Sequence, residues 1–121
     1  MTTPQEIANR LVELCRMGKI EDAQKELFAD DAISIEPYEM MPGSGKEVKG
    51  LQAIIDKGHQ FVSMVEAFHG SVISDPIIAG NHFAIAWDFD ITMKGQPRNT
   101  LKEICVYRVK DGKIISEQFH S

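Results

Sequence analysis

From about Phe68 to Ser121 the chain alternates apolar and polar side chains between three turn signals, and this pattern constrains the fold more than any other feature. Gly80-Asn81 and Asp111-Gly112 each suit a two-residue hairpin turn that needs positive φ, and Lys94 to Pro97 makes a longer connection. Four consecutive antiparallel strands are predicted, with a register set by the turns. Counting from the turns puts Ile78 opposite Phe83, Trp87 opposite Ile104, and Val106 opposite Glu117. Period-two alternation then gathers Phe68, Val72, Ile78, Phe83, Ile85, Trp87, Phe89, Ile91, Ile104, Val106, Ile115 and Phe119 on one face. The other face receives His69, Ile73, Ala84, Ala86, Asp88, Asp90, Glu103, Cys105, Tyr107, Gln118 and His120. Asp75-Pro76 is a place where a bulge would change the phase of the first strand.

The first half reads as helical. Thr3-Pro4-Gln5-Glu6 combines an N-cap threonine, a proline at the first helical position and a glutamate three residues after the cap. Ile7, Leu11, Leu14 and Cys15 follow at helical spacing, and Gly18 suits the stop. Ile20, Ala23 and Leu27 mark a second, shorter helix. Ala32 to Glu36 reads as a short strand ended by Pro37, and Tyr38 to Lys49 as a loop. From Gly50 to Val65, the residues Leu51, Ile54, Ile55, Val62 and Val65 mark a third amphipathic helix, with His59 at the border of its apolar face. Three helices against one face of a long, curved, mainly antiparallel sheet make an α+β roll. A pocket is expected where the helices leave the hollow of the sheet unfilled. The small-residue outer face suggests a homodimer through that surface.

A chain of 121 residues is read as one domain, 1–121, able to bury roughly two-thirds of the surface exposed on unfolding. The net charge of −5 gives no clustered basic face, so neither nucleic acid nor an anionic membrane is an expected partner. No apolar run is long enough to span a bilayer, and the Met-Thr-Thr-Pro start does not resemble a signal peptide. Cys15 and Cys105 lie far apart with no Cys-x-x-Cys spacing, so no zinc or redox motif is present. The expected location is the cytoplasm.

Phe28-Ala-Asp-Asp-Ala-Ile-Ser-Ile-Glu-Pro37, Lys94-Gly-Gln-Pro97 and Val106-Tyr-Arg-Val-Lys-Asp-Gly-Lys-Ile114 resemble stretches of the NTF2-like superfamily, which includes SnoaL-like proteins and ketosteroid isomerases. The resemblance spans nearly the whole chain and implies the NTF2-like (cystatin-like) roll. It does not fix an activity, because the superfamily holds enzymes and non-enzymes. It puts the isomerases' general base on Glu36, their oxyanion tyrosine on Leu11, and, aligned without a gap from Gly95-Gln96-Pro97, their protonated aspartate on Ile104. With both donors missing, steroid isomerisation is not expected.

Two acids are the catalytic candidates. Glu36, beside Pro37, is either a pocket-mouth base or a surface carboxylate at a strand end. Glu117 is the only acid the register sets on the apolar face. There it either pairs with Arg108 or Lys102, also turned inward, or stands across a cavity from Glu36 as a proton-shuttling couple. Tyr38, Trp87, Phe89, Lys102, Ile104 and Phe119 are the expected pocket residues, and Tyr38 with Met40-Met41 suits a lid. Asp88, Glu103 and His120 fall side by side on the outer face, as an acid–histidine cluster or an ordinary cross-strand charge pair. No His-x-His spacing points to a metal. Gly43-Ser44-Gly45-Lys46 lacks the flanking residues of a phosphate loop. The expected occupant is a small hydrophobic molecule, handled without a cofactor by isomerisation, cyclisation, dehydration or hydrolysis. The competing expectation is a non-catalytic module that binds a ligand or a protein through the same scaffold.

Overall fold

A computed structural model describes residues 2–39, 42–43 and 45–121. Helix α1 (Pro4–Arg16) begins as the sequence predicts, with the Glu6 backbone N–H donating to Thr3 Oγ1 at 3.2 Å. It buries Ile7, Leu11, Leu14 and Cys15 and is followed by Gly18 at φ 76°, a conformation that favours glycine. Helix α2 (Ile20–Leu27) buries Ala23 and Leu27, and Arg10 of α1 ties it down through a 2.8 Å bond to Glu26. Helix α3 (Leu51–Ser63) starts after Gly50 and buries Ile54 and Ile55.

The sheet comprises β1 (Phe28–Ile35), β2 (Glu47–Lys49), β3 (Val65–Ile73), β4 (Ile77–Ala79), β5 (His82–Met93), β6 (Arg98–Lys110) and β7 (Lys113–His120). Its order is β2-β1-β7-β6-β5-β3, with β4 also on β5. The β1–β7 pairing is parallel and the others are antiparallel. Strand β2 forms inside the segment expected to be loop. The helices pack on one face, and the core between the layers includes Ile7, Leu11, Ile54, Phe83, Ile85, Tyr107 and Ile114.

The register departs from expectation by one residue at two places. The innermost pair of the β5–β6 hairpin is Thr92 with Arg98, so the connection begins at Met93 rather than Lys94. Every side chain of β6 therefore turns over: Trp87 faces Glu103, not Ile104. Near the Asp111-Gly112 turn, Val109 pairs with Ile114 but Arg108 pairs with Ser116. The extra residue is a bulge that sets Glu117 opposite Tyr107 instead of Val106. The two offsets cancel on β7, which is why Glu117 still faces the helices.

Glu103, Cys105 and Tyr107 consequently point inward, while Lys102, Ile104, Val106 and Arg108 do not. Both faces of β6 carry apolar residues, so alternation alone cannot choose between them. Packing does choose. Tyr107 lies against Phe83 at 4.7 Å between ring centroids and meets Phe28 edge-on at 6.5 Å, filling the core beneath the helices. The first strand changes phase near Asp75-Pro76, as foreseen. Ile78 pairs with Phe83, but Ile73 pairs with Trp87. Ile73 is buried and Val72 is exposed, the reverse of the expected assignment.

Candidate functional site

Strand β1 alternates so that Ala32 and Ser34 face the core, and Glu36 follows just past its end. The parallel neighbour β7 brings Glu117 directly beside Ser34. Helix α3 crosses above and lowers Lys57 between them. Lys57 Nζ donates to Ser34 Oγ at 2.6 Å and to Glu36 Oε1 at 2.8 Å, and Ser34 Oγ in turn donates to Glu117 Oε1 at 2.7 Å. The Lys57–Glu36 pair is mostly sheltered, with the two side chains 14% and 18% exposed. The ammonium also lies 5.4 Å from the Phe119 ring centre, a favourable cation–π position.

Burial dominates the electrostatics. Glu117 is 4% exposed, and loss of water pushes its carboxyl up to about 7. The Ser34 hydrogen bond and the Lys57 charge oppose that rise, while Glu36 and Glu103 add to it. Glu103 is also raised, first by burial and then by Glu36, with Lys57 opposing. Three carboxyl groups thus share the field of Lys57. A carboxyl titrating near neutrality can both accept and release a proton under ordinary conditions. Burial likewise raises the thiol of Cys15, to about 12, and that of Cys105, so neither is an activated nucleophile.

The expected site residues divide into two groups. Glu36, Glu117 and Phe119 come together around Lys57. Trp87 is buried and stacks on Phe89, with ring centroids 4.6 Å apart and planes 19° apart, on the face that also carries Glu103. Lys102 and Ile104 do not join them, because the β6 offset turns both to the outer face. There Ile104 is exposed and Lys102 lies 3.6 Å from Asp88. Glu117 therefore pairs with neither Lys102 nor Arg108. The Asp88–Glu103–His120 cluster does not form as expected either: Asp88 pairs with Lys102 and His120 with Ile104, leaving Glu103 with Trp87. Tyr38 is exposed, and Met40 and Met41 of the expected lid lie outside the described residues. An open groove of about 360 Å³ lies along Ala86, Asp88, Lys102, Glu103, Ile104, His120 and Ser121.

Ser34 and Lys57 are candidate-site residues that sequence reasoning missed, and Glu103 was read only as part of the outer-face cluster. Lys57 follows Ile54 by three residues and precedes Phe61 by four, which places it on the buried stripe of α3. Ser34 alternates in phase with Ala32. Both signals were available. Glu103 was hidden by the hairpin offset, and it corrects the expectation that β6 offers no inward acid: it faces inward next to Ile104, where the ungapped comparison had set the isomerase aspartate.

A profile of the SnoaL-like domain matches residues 1–121. The chain belongs to the SnoaL-like family. No curated protein matches this SnoaL-like chain. Among solved structures it is similar to a Mesorhizobium loti protein provisionally named a SnoaL-like polyketide cyclase [carbohydrate phosphatase]. The two are 32% identical over 99% of this chain and 100% of that one, with a TM-score of 0.91. An NTF2-like protein of unknown function from Burkholderia pseudomallei is 17% identical over 99% and 91% of the two chains, with a TM-score of 0.81. A protein with a ketosteroid isomerase-like fold from Catenulispora acidiphila, solved with trimethylamine, is 22% identical over 100% and 87%, with a TM-score of 0.73. At those identities the last two share the fold of this SnoaL-like protein and nothing further is carried over.

Proposed function

We propose that this SnoaL-like protein binds a small hydrophobic molecule between its helices and sheet and moves a proton on it with Glu36 and Glu117. Glu36 is the base that meets the substrate, and Glu117 is the buried partner that buffers charge through Ser34 and Lys57. The reaction belongs to the cofactor-free class of isomerisation, cyclisation, dehydration or hydrolysis. One observation carries this reading: the Lys57 ammonium bridges Glu36 to the Ser34–Glu117 pair through bonds of 2.8, 2.6 and 2.7 Å. An ammonium that donates to both Ser34 and Glu36 holds the Glu36 carboxylate in one orientation, which proton transfer requires. The provisional cyclase name of the Mesorhizobium loti protein agrees with it. The outer face, with exposed Val72, Ile77 and Ile104, supports a homodimer through that surface. Two free, buried thiols fit a reducing cytoplasm.

The Glu36→Gln variant tests the enzymatic reading: turnover of a hydrophobic ring substrate should fall by about a hundredfold or more with binding retained. Unchanged turnover would remove Glu36 as the base. Leu11 buried in the core, where the isomerases carry a donor, favours a binding module instead. That reading predicts ligand affinity with no turnover in any variant.

A further inference from the structure

We propose that the indole N–H of Trp87 is the donor that holds a carbonyl oxygen of the bound molecule. This rests on the reading of the inner face as the binding face, and it names a positioning residue there. Trp87 is 6% exposed, and its Nε1 has no hydrogen-bond partner, the one such buried side-chain polar atom among the described residues. Buried polar groups are almost always bonded, and an orphaned one costs stability, a cost that a functional role accounts for. The surroundings narrow what it can serve. Phe89 stacks on the ring, Ile73 flanks it on β3, and Glu103 faces it from β6. Glu103 in turn feels the charges of both Glu36 and Lys57.

An indole N–H donates and never accepts, which selects an oxygen acceptor on an otherwise apolar ligand. Leu11 is buried and offers no donor where the resemblance sets the isomerases' tyrosine, whereas Trp87 carries one on the inner face of the sheet. When Glu36 takes a proton from the carbon beside the carbonyl, the C–H electron pair becomes the new carbon–carbon double bond. The carbonyl π electrons move to oxygen, where the Trp87 N–H receives the growing negative charge. The proton ends on Glu36, and no oxidant or further reactant is needed.

The single tryptophan makes the test direct, since a ¹H–¹⁵N spectrum contains one indole signal. The probes are 1-tetralone, a bicyclic ketone, and tetralin, its hydrocarbon counterpart. Tetralone should move the indole proton downfield and bind the Trp87→Phe variant about three- to tenfold more weakly, the worth of one hydrogen bond. Tetralin should bind both proteins alike and leave the indole proton where it is. Equal tetralone affinity for both proteins would overturn the donor role while leaving the inner face as a binding surface. So would an indole signal that shifts in Glu103→Gln without ligand and ignores tetralone, because the N–H would then belong to Glu103. Binding of neither probe would overturn the donor and the binding face together. If the Phe variant does not fold, the indole shift in the native protein decides alone.

Discussion

Ser34 donates its hydroxyl proton to Glu117 across the sheet's parallel strand pair, and the same oxygen accepts from Lys57. A single hydroxyl therefore links a nearly waterless carboxyl to a partly sheltered ion pair. Removing water from Glu117 favours its protonated form, and the hydroxyl and ammonium offset that preference only in part. The outcome is an acid with two accessible protonation states near neutrality, joined to a carboxylate closer to solvent.

Stability should fall as pH rises from acid to neutral. The Glu117 carboxyl is raised from an ordinary 4.5 to about 7. Between those values the folded protein holds a proton that the unfolded chain has released, so folding loses free energy with increasing pH. Below about 4.5 both states are protonated and this loss vanishes. The full effect is about 3 kcal/mol, and Glu103 adds in the same direction. Urea unfolding of the native protein and of Glu117→Gln across this range checks it. The glutamine variant should be the more stable at about pH 8 and lose that advantage at low pH.

Ser34→Ala removes the largest influence holding the Glu117 carboxyl down. The variant should titrate Glu117 still higher and lose about 1–2 kcal/mol at neutral pH. The loss should shrink in acid, where Glu117 is neutral in both proteins. Chemical denaturation at the two pH values distinguishes this from simple cavity formation, which is independent of pH.

Lys57→Met keeps the apolar stem but takes away the ammonium. Glu36 loses its partner, and the carboxyls of Glu117 and Glu103 should both rise, since Lys57 lowers each. A destabilisation of about 2 kcal/mol at neutral pH is expected, tempered by the partial exposure of the pair. Turnover should drop together with Glu36→Gln, and the double variant should be no worse than either single one. Steady-state kinetics of the three variants checks this.

Much of the architecture was legible because its signals are local. The Thr3 cap, the Gly18 stop and the Gly80-Asn81 and Asp111-Gly112 turns each act within a few residues, and each appears where expected. Side-chain direction on β6 was not legible, because it depends on one residue of hairpin length. Ile104 and Val106 on one side and Cys105 and Tyr107 on the other are both apolar, so patterning carried no penalty for the slip. The site was half legible for the same reason. Glu36 stands on short-range logic and Glu117 faces the helices because two offsets cancel, whereas Lys57 joins them only through how α3 crosses β1, a tertiary relationship. Lys102 was read as facing the helices because it inherited the β6 error; it lies instead along the open groove beside Asp88.

The outer face yields a separate expectation. Ile77, Ala84 and Val106 form one cross-strand row, and Ala86 and Ile104 begin the next. Ile104→Glu should therefore convert the proposed homodimer to monomers without loss of the fold, as a charge there would be buried against its symmetry mate. Sedimentation analysis of both proteins checks this; an unchanged dimer would move the interface elsewhere.

The most direct test of the central claim is the titration of the Glu117 side-chain carboxyl carbon by ¹³C NMR, assigned with Glu117→Gln. The linked arrangement of Glu117, Ser34, Lys57 and Glu36 predicts a midpoint near 7, rising further in Ser34→Ala. A midpoint near 4.5 that Ser34→Ala leaves unmoved would contradict it.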